Sequence, residues 1–163
     1  MAKVYLLGLG PGGKEGITLG VLEILNKVKP LYIRTKRHPA IYCLEEKGIK
    51  FKSFDYLYDQ AEDFQSVYKE IAEKVLDAAL TNKEVAYALP GHPLAAEKSV
   101  EIIKEMAEAR GVVIEVRAGA SFMEAISQAL SLDPSKGLTF LDALDTDKLI
   151  DFPLQDLVLV QVY

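Results

Sequence analysis

Three short stretches of this 163-residue sequence place glycine, proline and small residues where a ligand could lie against main chain. The first, Gly8-Leu9-Gly10-Pro11-Gly12-Gly13, matches GxGxxG letter for letter. It follows the apolar run 4–7, which reads as a buried strand. In dinucleotide-binding folds the helix starts within such glycines, so that its N-terminus can hold a pyrophosphate. Here Lys14-Glu15-Gly16-Ile17 intervenes before any helical period begins, and Pro11 removes a main-chain donor. The second predicted strand ends in Arg34-Thr35-Lys36-Arg37, with no acidic residue for a ribose hydroxyl. A 2′-phosphate, as in NADP, stays open as a reading. The bland alternative is a tight turn in which glycines allow close backbone approach.

The second stretch, Tyr87-Ala88-Leu89-Pro90-Gly91-His92-Pro93-Leu94, closes a strand at the edge where open α/β sheets bind ligands. His92 is its only side chain that titrates near neutrality. Taken alone, the stretch is more simply a rigid turn with a solvated histidine. The third, Arg117-Ala118-Gly119-Ala120-Ser121-Phe122, repeats the strand-turn-helix order, with Ser121 and Glu124 forming a capping box. The fourth candidate is chemical rather than conformational. Arg34, Lys36 and Arg37, beside His38, suit an acidic ligand, although exposed basic loops are usually just solvated. No nucleophile, base and acid recur together.

The elements that must position these stretches alternate between strand and helix. Strands are expected at 4–7, 31–34, 49–51, 85–89 and 112–116. Helices are expected at 19–28 behind Thr18, at 39–47, at 64–80 behind Asp63, at 94–109 before Gly111, and from Phe122 behind Ser121. This order predicts an α/β fold with a mostly parallel sheet and flanking helices. The stretch 133–153 is broken by Pro134, Gly137 and Pro153, and 156–163 again reads as strand. A final strand whose partners do not follow suggests the start of a second α/β domain, with the division at 1–117 and 118–163.

Composition narrows the function classes. A net charge of −5 argues against a general nucleic-acid binder. One cysteine, Cys43, and two histidines exclude a disulfide framework within the chain and a Cys/His metal cluster, so no metal is expected. No apolar run approaches the ~20 residues of a membrane span. The first apolar run stops at Gly8, unlike a secretory leader. The expectation is a soluble cytoplasmic protein.

Taken together, the motifs resemble the tetrapyrrole (corrin/porphyrin) methylase family. That family opens on GxGPGxxxxxT, here Gly8-Leu9-Gly10-Pro11-Gly12 followed by Gly16-Ile17-Thr18. It continues with a PGDP-like loop, here Pro90-Gly91-His92-Pro93, and a PGxxS-type turn, here Ala118-Gly119-Ala120-Ser121-Phe122. The stretches 32–39, 51–55 and Pro-Gly-His-Pro-Leu-Ala-Ala-Glu-Lys from Pro90 are most similar to the methylase-like domain fused ahead of MazG nucleotide pyrophosphohydrolases.

The resemblance implies a two-domain protein, usually a homodimer, that binds S-adenosylmethionine and releases S-adenosylhomocysteine. It places Pro11 along the cofactor and Leu89, Gly91, His92 and Leu94 around its amino-acid end. Ser121 and Phe122 flank it. It implies an acidic small-molecule substrate, tetrapyrrole-like or a nucleotide, with Arg34, Lys36 and Arg37 as substrate-binding candidates. His92 stands where the family has Asp, and members are longer than this chain. The function implied is methyl transfer. The rivals are a ligand-sensing module that regulates an attached pyrophosphohydrolase, and an NADP-binding reductase.

Overall fold

The computed structural model describes residues 1–61, 63–143 and 156–162. The chain divides into two compact units, Met1–Phe122 and Met123–Tyr163.

The first unit is built on five strands: β1 (Lys3–Gly8), β2 (Leu31–Ile33), β3 (Lys52–Ser53), β4 (Glu84–Leu89) and β5 (Val113–Arg117). They form one sheet in the order β3-β2-β4-β1-β5, every pairing parallel. Five helices accompany it: α1 (Leu19–Lys27), α2 (Ala40–Glu46), α3 (Asp55–Gln60), α4 (Phe64–Asn82) and α5 (Lys98–Ala109).

The period of two along the central strands sorts side chains between two cores. Val4 and Leu6 of β1 face the same side as Val85, Tyr87 and Leu89 of β4, and pack with Val67, Ile71, Val75 and Leu76 of α4 and Val100 and Ile103 of α5. Leu7 and Leu9, with Ala86 and Ala88, face the opposite side against Val21 and Leu25 of α1 and Ile41 and Leu44 of α2. The unit is therefore a helix–sheet–helix sandwich.

Local signals placed most of these elements. Thr18 accepts from the Val21 N–H and opens α1. Asp63 accepts from the Ser66 N–H at 2.8 Å and opens α4. Gly48 and Gly111 end their helices with φ of +65° and +63°.

The structure differs from the sequence-based expectation in three places here. β3 lies at 52–53, not 49–51, because Ile49 is buried in the core while Phe54 packs in a stack with Tyr32. Helix α3 lies outside that expectation; its single turn and a half buries only Leu57. Helix α5 starts at Lys98, not at 94. The Leu94 N–H bonds back to the His92 ring, and Ala96 sits at φ +56°, which no helix continues.

The second unit holds most of α6 (Phe122–Leu130), followed by β6 (Leu138–Asp142) and β7 (Asp156–Val160). β7 finds its partner upstream, pairing in parallel with β6 from Leu138↔Asp156 to Asp142↔Val160. β6 is hidden in the sequence because a 3₁₀ turn opened by Pro134 and closed by Gly137 leads straight into it. Residues 144–155, which include most of the rest of the broken stretch, lie outside the described residues.

Candidate functional site

The three ligand-loop motifs leave the carboxyl ends of three adjacent strands, β4, β1 and β5. The chain leaving β1 runs to α1 on one face of the sheet, and the chain leaving β4 runs to α5 on the other. Two neighbouring strands whose connections diverge to opposite faces define the crevice where open α/β sheets bind ligands.

Here the two loops are stitched across that point. Gly10 donates to the Gly91 carbonyl at 3.2 Å, Gly91 donates to the Gly10 carbonyl at 2.7 Å, and Leu9 donates to the Leu89 carbonyl at 2.9 Å. The third loop is tied in as well. Ala120 donates to the Gly16 carbonyl at 3.1 Å, and the Thr18 hydroxyl donates to the Ala118 carbonyl at 3.0 Å.

The glycines make this interlacing sterically feasible. A Cβ on Gly8 would sit 2.5 Å from both the Gly119 nitrogen and the Gly91 oxygen. One on Gly10, at φ +80°, would meet the Gly16 Cα at 2.5 Å. These contacts are tighter than any real Cβ makes, so the glycine loop is a packing device. A dinucleotide reading fails on the same geometry. The surface of Gly8 and Gly10 is filled chiefly by main chain and that of Gly13 by the Glu15 carboxylate, a 3₁₀ turn at Lys14–Gly16 separates the loop from α1, and the α1 N-terminus is capped by Thr18.

Gly91 is the exception. Its φ is +66°, and a Cβ built there meets nothing within 4 Å. Its open side faces space rather than packed chain. Around it, Leu89 is fully buried, His92 is half-buried and Leu94 is 54% exposed. The His92 Nδ1 accepts the Leu94 N–H at 3.1 Å, and its carbonyl accepts the Ala95 N–H at 3.0 Å. The ring thus braces its own loop. Pro11 is exposed, Ser121 is buried and Phe122 is half-buried at the start of α6. Pro11, Leu89, Gly91 and His92 belong to the stitched loops, and Ser121 and Phe122 directly continue the third.

The basic candidates divide. Arg34 pairs with Glu97, which is only 7% exposed, and donates from Nε to the Tyr58 hydroxyl at 3.2 Å. Burial works against both charges. It pushes the Glu97 carboxyl up while Arg34 pulls it down, and Glu97 keeps the guanidinium above its ordinary range despite burial. Lys36 and Arg37 are exposed. Asp55 organises their loop, accepting from the Thr35 hydroxyl at 2.6 Å and the Lys36 N–H at 2.9 Å. Burial alone would raise the Asp55 carboxyl; those hydrogen bonds, one from Ser53 and the Arg37 charge outweigh it and hold it low.

His38 repeats the His92 device. Its Nδ1 faces the Ala40 N–H at 3.3 Å across Pro39, as His92 faces Leu94 across Pro93. Its Nε2 is buried without a hydrogen-bond partner. Burial pushes the imidazole down, weakly opposed by the Gly10 main chain.

Sequence reasoning missed Glu97 as belonging to this region. The available signal was a carboxylate closing the small apolar run Pro93-Leu94-Ala95-Ala96, where a solvated helix start would be more polar. Among the described residues, no group of three His, Cys, Asp or Glu side chains could hold a metal ion. Among them, too, no helix is long and apolar enough to cross a membrane.

Fold and loops together define an open parallel α/β protein whose three loops converge at the carboxyl ends of β4, β1 and β5. The model of the Tetrapyrrole (Corrin/Porphyrin) Methylases matches residues 3–159, and the chain belongs to that family. Members of the family use S-adenosylmethionine as methyl donor and release S-adenosylhomocysteine.

The chain is 40% identical over 149 residues to the uncharacterized protein YabN of Bacillus subtilis (strain 168), covering 90% of this chain and 30% of that one. It is 30% identical over 161 residues to a probable cobalt-precorrin-2 C(20)-methyltransferase of Methanocaldococcus jannaschii, covering 91% and 68%. Its fold matches the crystal structure of uroporphyrin-III-C-methyltransferase from Thermus thermophilus with a TM-score of 0.70 at 23% identity, covering 97% of this chain and 67% of that one. The chain thus spans under a third of the length of the Bacillus relative.

Proposed function

We propose that this chain binds S-adenosylmethionine at the stitched loops and takes part in methyl transfer to an acidic, tetrapyrrole-like acceptor. The observation that carries the reading is Gly91, the one glycine of the stitched loops whose Cβ direction is open, at the switch point of a family that uses this cofactor.

The residues suit the group. An amino-acid end presents an ammonium, which needs acceptors. The carbonyls of Leu89, Gly91 and His92 each accept one main-chain bond here, leaving a second lone pair apiece. They substitute for the carboxylate that His92 does not supply. Exposed Leu94 offers apolar surface, and Pro11, Ser121 and Phe122 come from the two loops that follow β1 and β5. The bound sulfonium supplies an activated methyl group; the protein's share is alignment of the two reactants. Lys36 and Arg37 stand on the same sheet edge, after β2, and suit the acceptor's carboxylates.

The organisation we infer is an N-terminal domain at 1–117 and the beginning of a second at 118–163, in a cytoplasmic homodimer, within a MazG-fused protein. The length of the Bacillus relative is compatible with such a fusion. That length also favours a second reading, in which the domain senses a ligand and regulates an attached pyrophosphohydrolase.

Calorimetry with S-adenosylhomocysteine and NADPH at equal concentration tests the first step. Binding of the former alone is expected, and tight binding of NADPH overturns the reading. Methyl transfer to a uroporphyrinogen-like acceptor then separates enzyme from sensor.

A further inference from the structure

The loop that closes the site runs from Leu89 to Glu97 and is fastened at both ends. Its start is held by the reciprocal Gly10 and Gly91 hydrogen bonds. Its far end is Glu97, the residue before α5, whose carboxylate is buried against the Arg34 guanidinium. Arg34 is itself fixed. Its main-chain N–H donates to the Ala88 carbonyl at 2.9 Å, on the strand that feeds the loop, and its Nε donates to the Tyr58 hydroxyl.

Between these anchors lies Ala96 at φ +56°. A residue with a Cβ is disfavoured there, and persists only where its surroundings over-determine the conformation. Glu97 is the next residue along. Its carboxylate cannot leave Arg34 without stranding two partly desolvated charges.

We propose that the Arg34–Glu97 ion pair is a latch that holds Ala96 left-handed and so sets the course of the Pro90–Ala95 loop before any ligand arrives. Arg34 and Glu97 are positioning residues for the ligand wall, and Arg34 is not a ligand contact. This rests on the reading that the loop forms that wall. A loop already ordered does not subtract its ordering cost from affinity. The choice of an ion pair supports a geometric role. Two apolar side chains of similar volume would stabilise the fold as well or better, but they carry no direction.

The test uses the full chain with two variants, Arg34→Met/Glu97→Leu and the milder Arg34→Lys. Three quantities are measured: the thermal midpoint, amide hydrogen exchange of the ligand-free chain, and calorimetric affinity for S-adenosylhomocysteine. In the apolar pair the midpoint is expected to stay within a few degrees of wild type. The Leu94 and Ala95 amides are expected to exchange roughly tenfold faster or more, while Val85 to Ala88 of β4 keep wild-type protection. Affinity is expected to fall roughly tenfold.

Arg34→Lys keeps the charge but loses the fork that reaches both Glu97 and Tyr58, and is expected to give an intermediate rise in exchange. Wild-type exchange at Leu94 and Ala95 in either folded variant overturns the latch. Because exchange is read without ligand, a wild-type chain that binds no S-adenosylhomocysteine removes the proposed function and leaves the latch still decided by its own measurement.

Discussion

Gly8 and Gly119, 111 residues apart in the chain, pack main chain to main chain. A Cβ on Gly119 would lie 2.4 Å from the Gly8 oxygen, and one on Gly8 would lie 2.5 Å from the Gly119 nitrogen. That contact brings the loop after β5 against the loop after β1, and the Gly10 and Gly91 bonds add the loop after β4. The three motifs are one object in space.

Gly119→Ala therefore must push apart backbones that have no flexible side chain to yield. The expected loss lies at the upper end of the roughly 1–3 kcal/mol typical of overpacking a tight site. Gly111→Ala is the matched control. Its φ is +63°, but its Cβ direction is open, so only the left-handed cost of about 1 kcal/mol applies. Urea unfolding of both variants checks the difference; equal losses would mean that the loop contact relaxes freely.

Gly91→Val separates fold from ligand. The branched side chain costs roughly 1–3 kcal/mol of strain at φ +66°, but its Cβ meets nothing within 4 Å, so the chain is expected to fold. Its side chain occupies the open space over the loop, and S-adenosylhomocysteine affinity is expected to drop by at least about tenfold. His92→Ala should do less, weakening the loop brace without filling the site. Calorimetry, with circular dichroism as the folding control, decides it. A folded Gly91→Val chain with wild-type affinity would place the ligand elsewhere.

Lys36→Glu with Arg37→Glu probes the acceptor side. Both residues are exposed, so the fold should hold within about 0.5 kcal/mol. Binding of a uroporphyrinogen-like polycarboxylate is expected to weaken, most at low salt where exposed charges are least screened. Cofactor-product affinity should stay unchanged. Unaltered polycarboxylate binding at low salt would return both side chains to plain solvation.

His38 gives stability a pH dependence. Burial holds its folded pKa below the unfolded value near 6.5, so the folded state binds the proton less readily. Its stability contribution is complete above that value and is lost as pH falls toward the depressed folded one. The slope of thermal midpoint against pH between about 7 and 5 should flatten in His38→Asn, which retains an acceptor for the Ala40 N–H. An identical slope in both chains would show that the imidazole does not carry this penalty.

Much of this was legible in the sequence because it is local. The apolar runs of β1 and β4, the Thr18 and Asp63 caps and the glycines ending α2 and α5 need only neighbours a few residues away. The alternation of those elements sufficed for a parallel α/β sheet, and the three loop motifs for the candidate edge at which their loops meet. The order β3-β2-β4-β1-β5 was decided by how two apolar faces are covered, a property of the assembled layers.

The glycine loop shows the same division. Its letters fit a phosphate cradle as well as a packing turn, and only the presence of Gly16 and Gly119 against it selects the second. Arg34 and Glu97 mark the limit most sharply. Singly, one reads as a solvated base and the other as a polar helix start. Their meeting across 63 residues depends on β2 lying beside β4, which places Arg34 next to the entrance of α5. A charge's role is set by its partner and its exposure, and both exist only once the chain has folded.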